Sequence, residues 1–115
     1  MSCTPVSRYE GIVDLFSYLV KEKVYGPVDR LARAVDLDMI RLALYEALRY
    51  ASTELRREAQ VSLPSESEIR EFLEAVEKSG VGVARRIAIA ALTRGLRRQL
   101  AEKREQAEKR EHAKS

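Results

Sequence analysis

The chain has no tryptophan and no asparagine, and among its 115 residues there are one cysteine, one histidine, three prolines and two phenylalanines. Each shortage excludes something. A lone Cys3 cannot close an internal disulfide, so nothing in the fold depends on an oxidising compartment. The single histidine, His112, lies in a polar C-terminal stretch. With so few ligating and nucleophilic side chains there is no nucleophile–base pair, no metal-ligand spacing and no glycine-rich phosphate loop. No run approaches the roughly 18 apolar residues of a membrane span, and the N-terminus has no signal-peptide apolar core. These absences read as a cytoplasmic protein that is not an enzyme and carries no cofactor or metal. Glycine and proline are few and clustered, which leaves helical segments and no convincing strand.

What is present is charge and aliphatic surface. The composition is 34% charged and 45% apolar, as in a globular chain of one domain with a modest core. Net charge is only +3, so the placement of charge carries more information than its total. Fifteen arginines stand against six lysines and three glutamines, a bias that suits a thermophilic source and equally a GC-rich genome.

The spacing predicts an all-α bundle of about five helices over residues 1–100, followed by a charged tail, 101–115. The first helix spans about Ser7–Lys23, with Tyr9, Ile12, Val13, Phe16, Leu19 and Val20 forming its core stripe. Gly26 suits the end of that helix and Pro27 the start of the next, which is short and buries Val28, Leu31 and Ala34 or Val35. Asp36 or Asp38 is placed to cap a long third helix, about Met39–Gln60, whose stripe is Ile40, Leu44, Ala47, Leu48, Ala51 and Leu55. Ser65 and Glu68 match a capping box at the start of the fourth helix, which carries five glutamates and one arginine between Glu66 and Glu77. Its inward residues are Ile69, Phe72, Leu73 and Val76. The tail repeats six residues, AEKREQ then AEKREH, and has no apolar side chain larger than alanine. It is expected to be a frayed or solvated extension of the fifth helix, held by pairs such as Glu105–Lys109.

Three constellations compete for function. Leu31–Ala47 has the order of a helix-turn-helix, but the turn holds Asp36 where glycine is usual, the second helix is long, and Asp36 and Asp38 sit at the end that would meet DNA phosphates. The fifth helix, GVGVARRIAIAALTRGLRRQL, holds Arg85, Arg86, Arg94, Arg97 and Arg98 and no carboxylate. At 100° per residue, Arg86, Arg94, Arg97 and Arg98 share an arc of about 120°, and Ile89, Leu92, Leu96 and Leu100 occupy about 80° opposite. Ala88, Ala91 and Gly95 widen the apolar side and allow another helix to approach. Arg85 falls at the edge of that side, and Ile87 among the arginines. Guanidinium forks spaced along a face match phosphate oxygens. The alternatives are a solvated face or pairing with the acidic fourth helix; a membrane surface is disfavoured because no Trp or Phe anchors the apolar side. On the third helix, Arg41, Tyr45, Arg49, Ser52 and Arg56 share an arc of about 80°, where arginine interleaved with tyrosine suits a nucleic-acid backbone with an exposed base.

Taken together, YGPVDRLARAVDLDMIRLALYEALRYAS (Tyr25–Ser52) and IREFLEAVEKSGVGVARRIAIAAL (Ile69–Leu92) resemble the helical hairpin and the closing helices of the small subunit of archaeal type I-A CRISPR Cascade complexes. The resemblance spans about residues 9–98 and leaves out the tail. It implies a non-catalytic helical protein, several copies of which line a crRNA-guided surveillance complex beside its backbone and large subunits in antiviral defence. It further implies DNA contacts, to target or displaced strand, from Arg41, Arg49, Arg56, Arg85, Arg86, Arg94, Arg97 and Arg98. Leu42, Glu71 and Glu74 would then meet neighbouring subunits. Neither a membrane nor a small-molecule substrate is implied. Two rivals remain open: a helical protein–protein adaptor or homo-oligomer without nucleic acid, and a helix-turn-helix regulator.

Overall fold

The computed structural model describes residues 6–54 and 63–114, and among these every element is helical. A 3₁₀ turn, Val6–Tyr9, leads into α1 (Glu10–Lys21); α2 (Gly26–Arg33), α3 (Leu37–Glu54), α4 (Glu66–Ser79) and α5 (Gly82–Lys114) follow. Leu55 and Arg56, expected on the third helix, lie outside the described residues.

α1 is the centre of the bundle because it is apolar on nearly every side. Ile12, Val13, Leu15, Phe16, Leu19 and Val20 are all buried, and α1 packs on α5, α2, α3 and α4. α2 touches both α3 and α5, which make no extended contact with each other. Buried Val28 and Leu31 hold α2 in place, with Ile40, Ala43, Leu44, Ala47 and Ala51 from α3. Ala34 closes the turn between them, while Val35 is 70% exposed. From α4, Phe72 and Val76 reach inward, and the Phe72 ring meets Tyr9 edge-on at 5.6 Å.

Local chemistry sets the element ends. α1 ends in paired turns, Lys23 N–H to the Val20 carbonyl (2.9 Å) and Val24 N–H to the Leu19 carbonyl (2.8 Å). That geometry needs a left-handed residue, and Lys23 supplies it with φ 65°. Gly26 is therefore not the helix end expected from the sequence; it is the first residue of α2, beside Pro27. The Asp36 carboxylate accepts from the Met39 N–H at 2.9 Å and caps α3. Gly80, φ 89°, stops α4.

The expected capping box forms by half. Ser65 Oγ accepts from the Glu68 N–H at 3.1 Å, but the Glu68 carboxylate leaves α4 and accepts from the Ile12 N–H at 2.7 Å. It thus caps α1, whose own N-cap residue, Tyr9, offers no side-chain acceptor bond.

α5 overturns one expectation. Its buried side is Val83, Ala84, Ile87, Ala88 and Ala91 with Gly95; Ile89, Leu96 and Leu100 are 62%, 44% and 58% exposed. The helix is thus rotated so that Ile87 and the small residues face the core, with Leu92 packed at its edge, while Ile89, Leu96 and Leu100 face outward. The cause is the closeness of α1. A Cβ on Gly95 would lie 2.5 Å from Val20 Cβ and 2.7 Å from the Ser17 carbonyl oxygen, so a leucine stripe could not occupy this crossing. Beyond Leu100 the helix continues to Lys114 with residues 101–108 exposed. A 33-residue helix is about 50 Å long, which accounts for most of the 58 Å long axis.

Candidate nucleic-acid interface

The basic residues of α5 divide into two groups. Arg94 sits at the border of the face against α1 and bonds both of its carboxylates, Glu10 Oε2 at 2.9 Å and Asp14 Oδ1 at 2.6 Å. The hydrogen bond to Glu10, aided by Asp14 and opposed by partial burial, raises the Arg94 pKa above its already high value and fixes the positive charge. Arg98 lies 3.6 Å from the same Asp14 and donates to Ser17 Oγ at 3.4 Å. The next residue, Gln99, donates to the Val20 carbonyl at 2.6 Å, and Lys21 reaches Glu102 at 3.0 Å. Half of the expected phosphate-facing edge is therefore a seam between α5 and α1. Arg94 already has two carboxylates and Arg98 lies near one of them, and these would compete with any phosphate. The carboxylates belong to α1 and not to the acidic α4, from which no ion pair to α5 is formed among the described residues.

Arg85, Arg86 and Arg97 are exposed and make no side-chain hydrogen bond or ion pair among the described residues. They do not form a row by themselves. Between them on the outward face stand Ile89 and Leu96, which a sugar-phosphate backbone would leave without a counterpart.

The α3 face has a different character. Arg41, Tyr45 and Arg49 occur every fourth residue, all three are exposed, and Tyr45 is 64% accessible. They form a ridge about 12 Å long with the ring between two guanidinium groups. Buried Ile40, Ala43, Leu44 and Ala47 anchor the opposite side of the helix and aim this ridge outward. Ser52 Oγ, near its far end, bonds back to the Arg49 carbonyl at 3.0 Å. Exposed Asp38 shares the arc in the first turn, where a carboxylate favours the helix dipole. Arg56, expected to extend the ridge, is outside the described residues.

Leu42, Glu71 and Glu74 are exposed, with Leu42 at 52%. Glu71 and Glu74 border an open polar groove with Arg8, Tyr9 and Lys78. Sequence reasoning did not single out Glu10 and Asp14, because their role arises across 84 and 80 positions of chain. Among the described residues no group of three or more His, Cys, Asp or Glu side chains is placed to hold a metal ion, and no helix is long and apolar enough to cross a membrane. No family model matches the chain, and neither does any curated protein or solved structure with which it was compared.

Proposed function

We propose that the protein is a non-catalytic, nucleic-acid-binding subunit of a ribonucleoprotein, of the kind the Cascade small-subunit resemblance implies, and that α3 carries the contact. The supporting observation is the outward ridge Arg41–Tyr45–Arg49. Guanidinium groups on both sides of an exposed ring offer phosphate contacts together with a stacking surface for a splayed base. Such binding is indifferent to sequence and falls steeply with salt. Arg94, bonded to Glu10 and Asp14, and Arg98, 3.6 Å from the same Asp14, face α1 and are left out of this proposal.

The helix-turn-helix reading has less support. A recognition helix presents its N-terminal residues to base edges, and here that end holds the Asp36 cap and exposed Asp38. The test is retention of a single-stranded 20-mer by Arg41→Glu/Arg49→Glu. Affinity should fall at least about tenfold at low salt, in line with the loss of two phosphate contacts. Circular dichroism checks that the variant is folded, since Arg49 also makes an interaction within the chain. Undiminished retention by the folded variant would refute the assignment.

A further inference from the structure

We propose that the outward face of α5 is a docking site for a different protein, which presents an amphipathic helix with acidic flanks. The observation is a stripe of large apolar residues on solvent. Ile89, Leu96 and Leu100 are 62%, 44% and 58% exposed, and at 100° per residue they lie within about 40° of one another. Exposed Arg86, Arg97 and Arg104 run along one border of the stripe, and Arg85 and Lys103 along the other. No residue on this face is acidic between Gly82 and Lys103. An apolar seam between two basic rails is complementary to a helix with its own apolar seam between carboxylates.

The same charges argue against other occupants. A second copy laid along α5 in either direction brings like charge to like charge, and an antiparallel crossing at Leu96 sets Arg97 beside Arg97. The remaining faces of this chain are no better suited. Leu42 and Tyr45 on α3 are exposed but stand among Arg41 and Arg49, while acidic α4 exposes Glu71, Glu74 and Glu77 and no large apolar side chain. On α3, exposed Asp38 and half-buried Glu46 stand near Leu42 and Tyr45, but Glu46 is paired with Arg30 and the face also carries Arg41 and Arg49, so the better complement is a different protein. A phosphate backbone would pair with the arginines and leave the three aliphatic side chains in water. The inference does not depend on nucleic acid binding at α3, which is tested through other residues.

The experiment titrates the full chain into a fluorescein-labelled helical peptide with leucines at i, i+4, i+7 and i+11 and glutamates on both flanks, read by anisotropy. Saturable binding is expected. Ile89→Ser/Leu96→Ser and Arg86→Gln/Arg97→Gln should each weaken it by at least about tenfold, as removal of central anchors does. A peptide with lysines for the glutamates should not bind. Every substituted side chain is exposed, and unchanged circular-dichroism melting confirms that the variants are folded. The proposal is overturned if the glutamate peptide fails to bind, or if it binds the serine variant as well as the parent. A dimer without peptide that the serine variant dissolves would give the face to a second copy. An oligothymidylate that displaces the peptide and is lost only in the glutamine variant would give it to nucleic acid.

Discussion

Arg94 and Arg97 lie about one turn apart on α5, yet the first is held by two carboxylates while the second has no bonded partner among the described residues. Position on the helix, and not residue type, decides which arginine serves the fold. A similar contrast separates Tyr9 from Tyr45: one is 3% exposed against Phe72, the other 64% exposed between arginines. Burial raises the Tyr9 pKa above its ordinary 10; Arg8 opposes the shift, and Glu71 and Glu68 add to it. The folded state therefore holds the phenol proton more tightly than the unfolded state does. That contribution is complete below pH about 10 and is lost as pH rises through the folded value. Melting temperature should fall more steeply above pH 10 in the parent than in Tyr9→Phe, which has no proton to lose there. Parallel curves would show that the phenol does not titrate as placed.

At the scale of elements, two contacts tie α1 to its neighbours. The Glu68 carboxylate caps α1 from α4, so Glu68→Ala should cost about 1–2 kcal/mol in denaturant unfolding, as other N-cap losses do. Ser65→Ala loses only the bond within α4. It should cost no more than about 1 kcal/mol. No measurable loss on Glu68→Ala would mean that the cap on α1 contributes nothing. The second contact is the crossing at Gly95. On an isolated helix, alanine there would gain about 1 kcal/mol over glycine. In this bundle its Cβ would overlap Val20 and the Ser17 carbonyl, so Gly95→Ala should lower stability by about 1–3 kcal/mol despite the better propensity. A higher melting temperature for that variant would place the two helices farther apart.

For the whole molecule, α5 runs past the bundle with residues 101–108 exposed. The Lys21–Glu102 pair joins α5 to α1, and residues 103–108 beyond it are exposed. Ending the chain after Lys103 should thus leave the melting temperature within about 3 °C, since exposed residues away from special features contribute little. Helical ellipticity should drop in proportion to the residues removed. A large loss of stability would show that the extension folds back on the bundle. The two outward faces divide the proposed work: α3 toward nucleic acid and α5 toward a protein partner.

Most of the architecture was legible in local sequence. The α1 stripe, the Asp36 cap and the Ser65 cap follow from periodicity and capping chemistry, which act within a few residues. The ridge Arg41–Tyr45–Arg49 was legible for the same reason, since one helix with a clear apolar side leaves only one outward side. α5 was not. Its aliphatic residues form two stripes, and a helical wheel favours the one with larger side chains. Only the tertiary structure chose the other, because packing depends on how near α1 can come as well as on how much apolar surface is offered. Rotating α5 onto its small residues carried Arg94 and Arg98 to carboxylates some 80 residues away in the chain and left Ile89, Leu96 and Leu100 outside. Sequence periodicity by itself contains no term for that distance, and so the charges of α5 acquired their partners only when the chain folded.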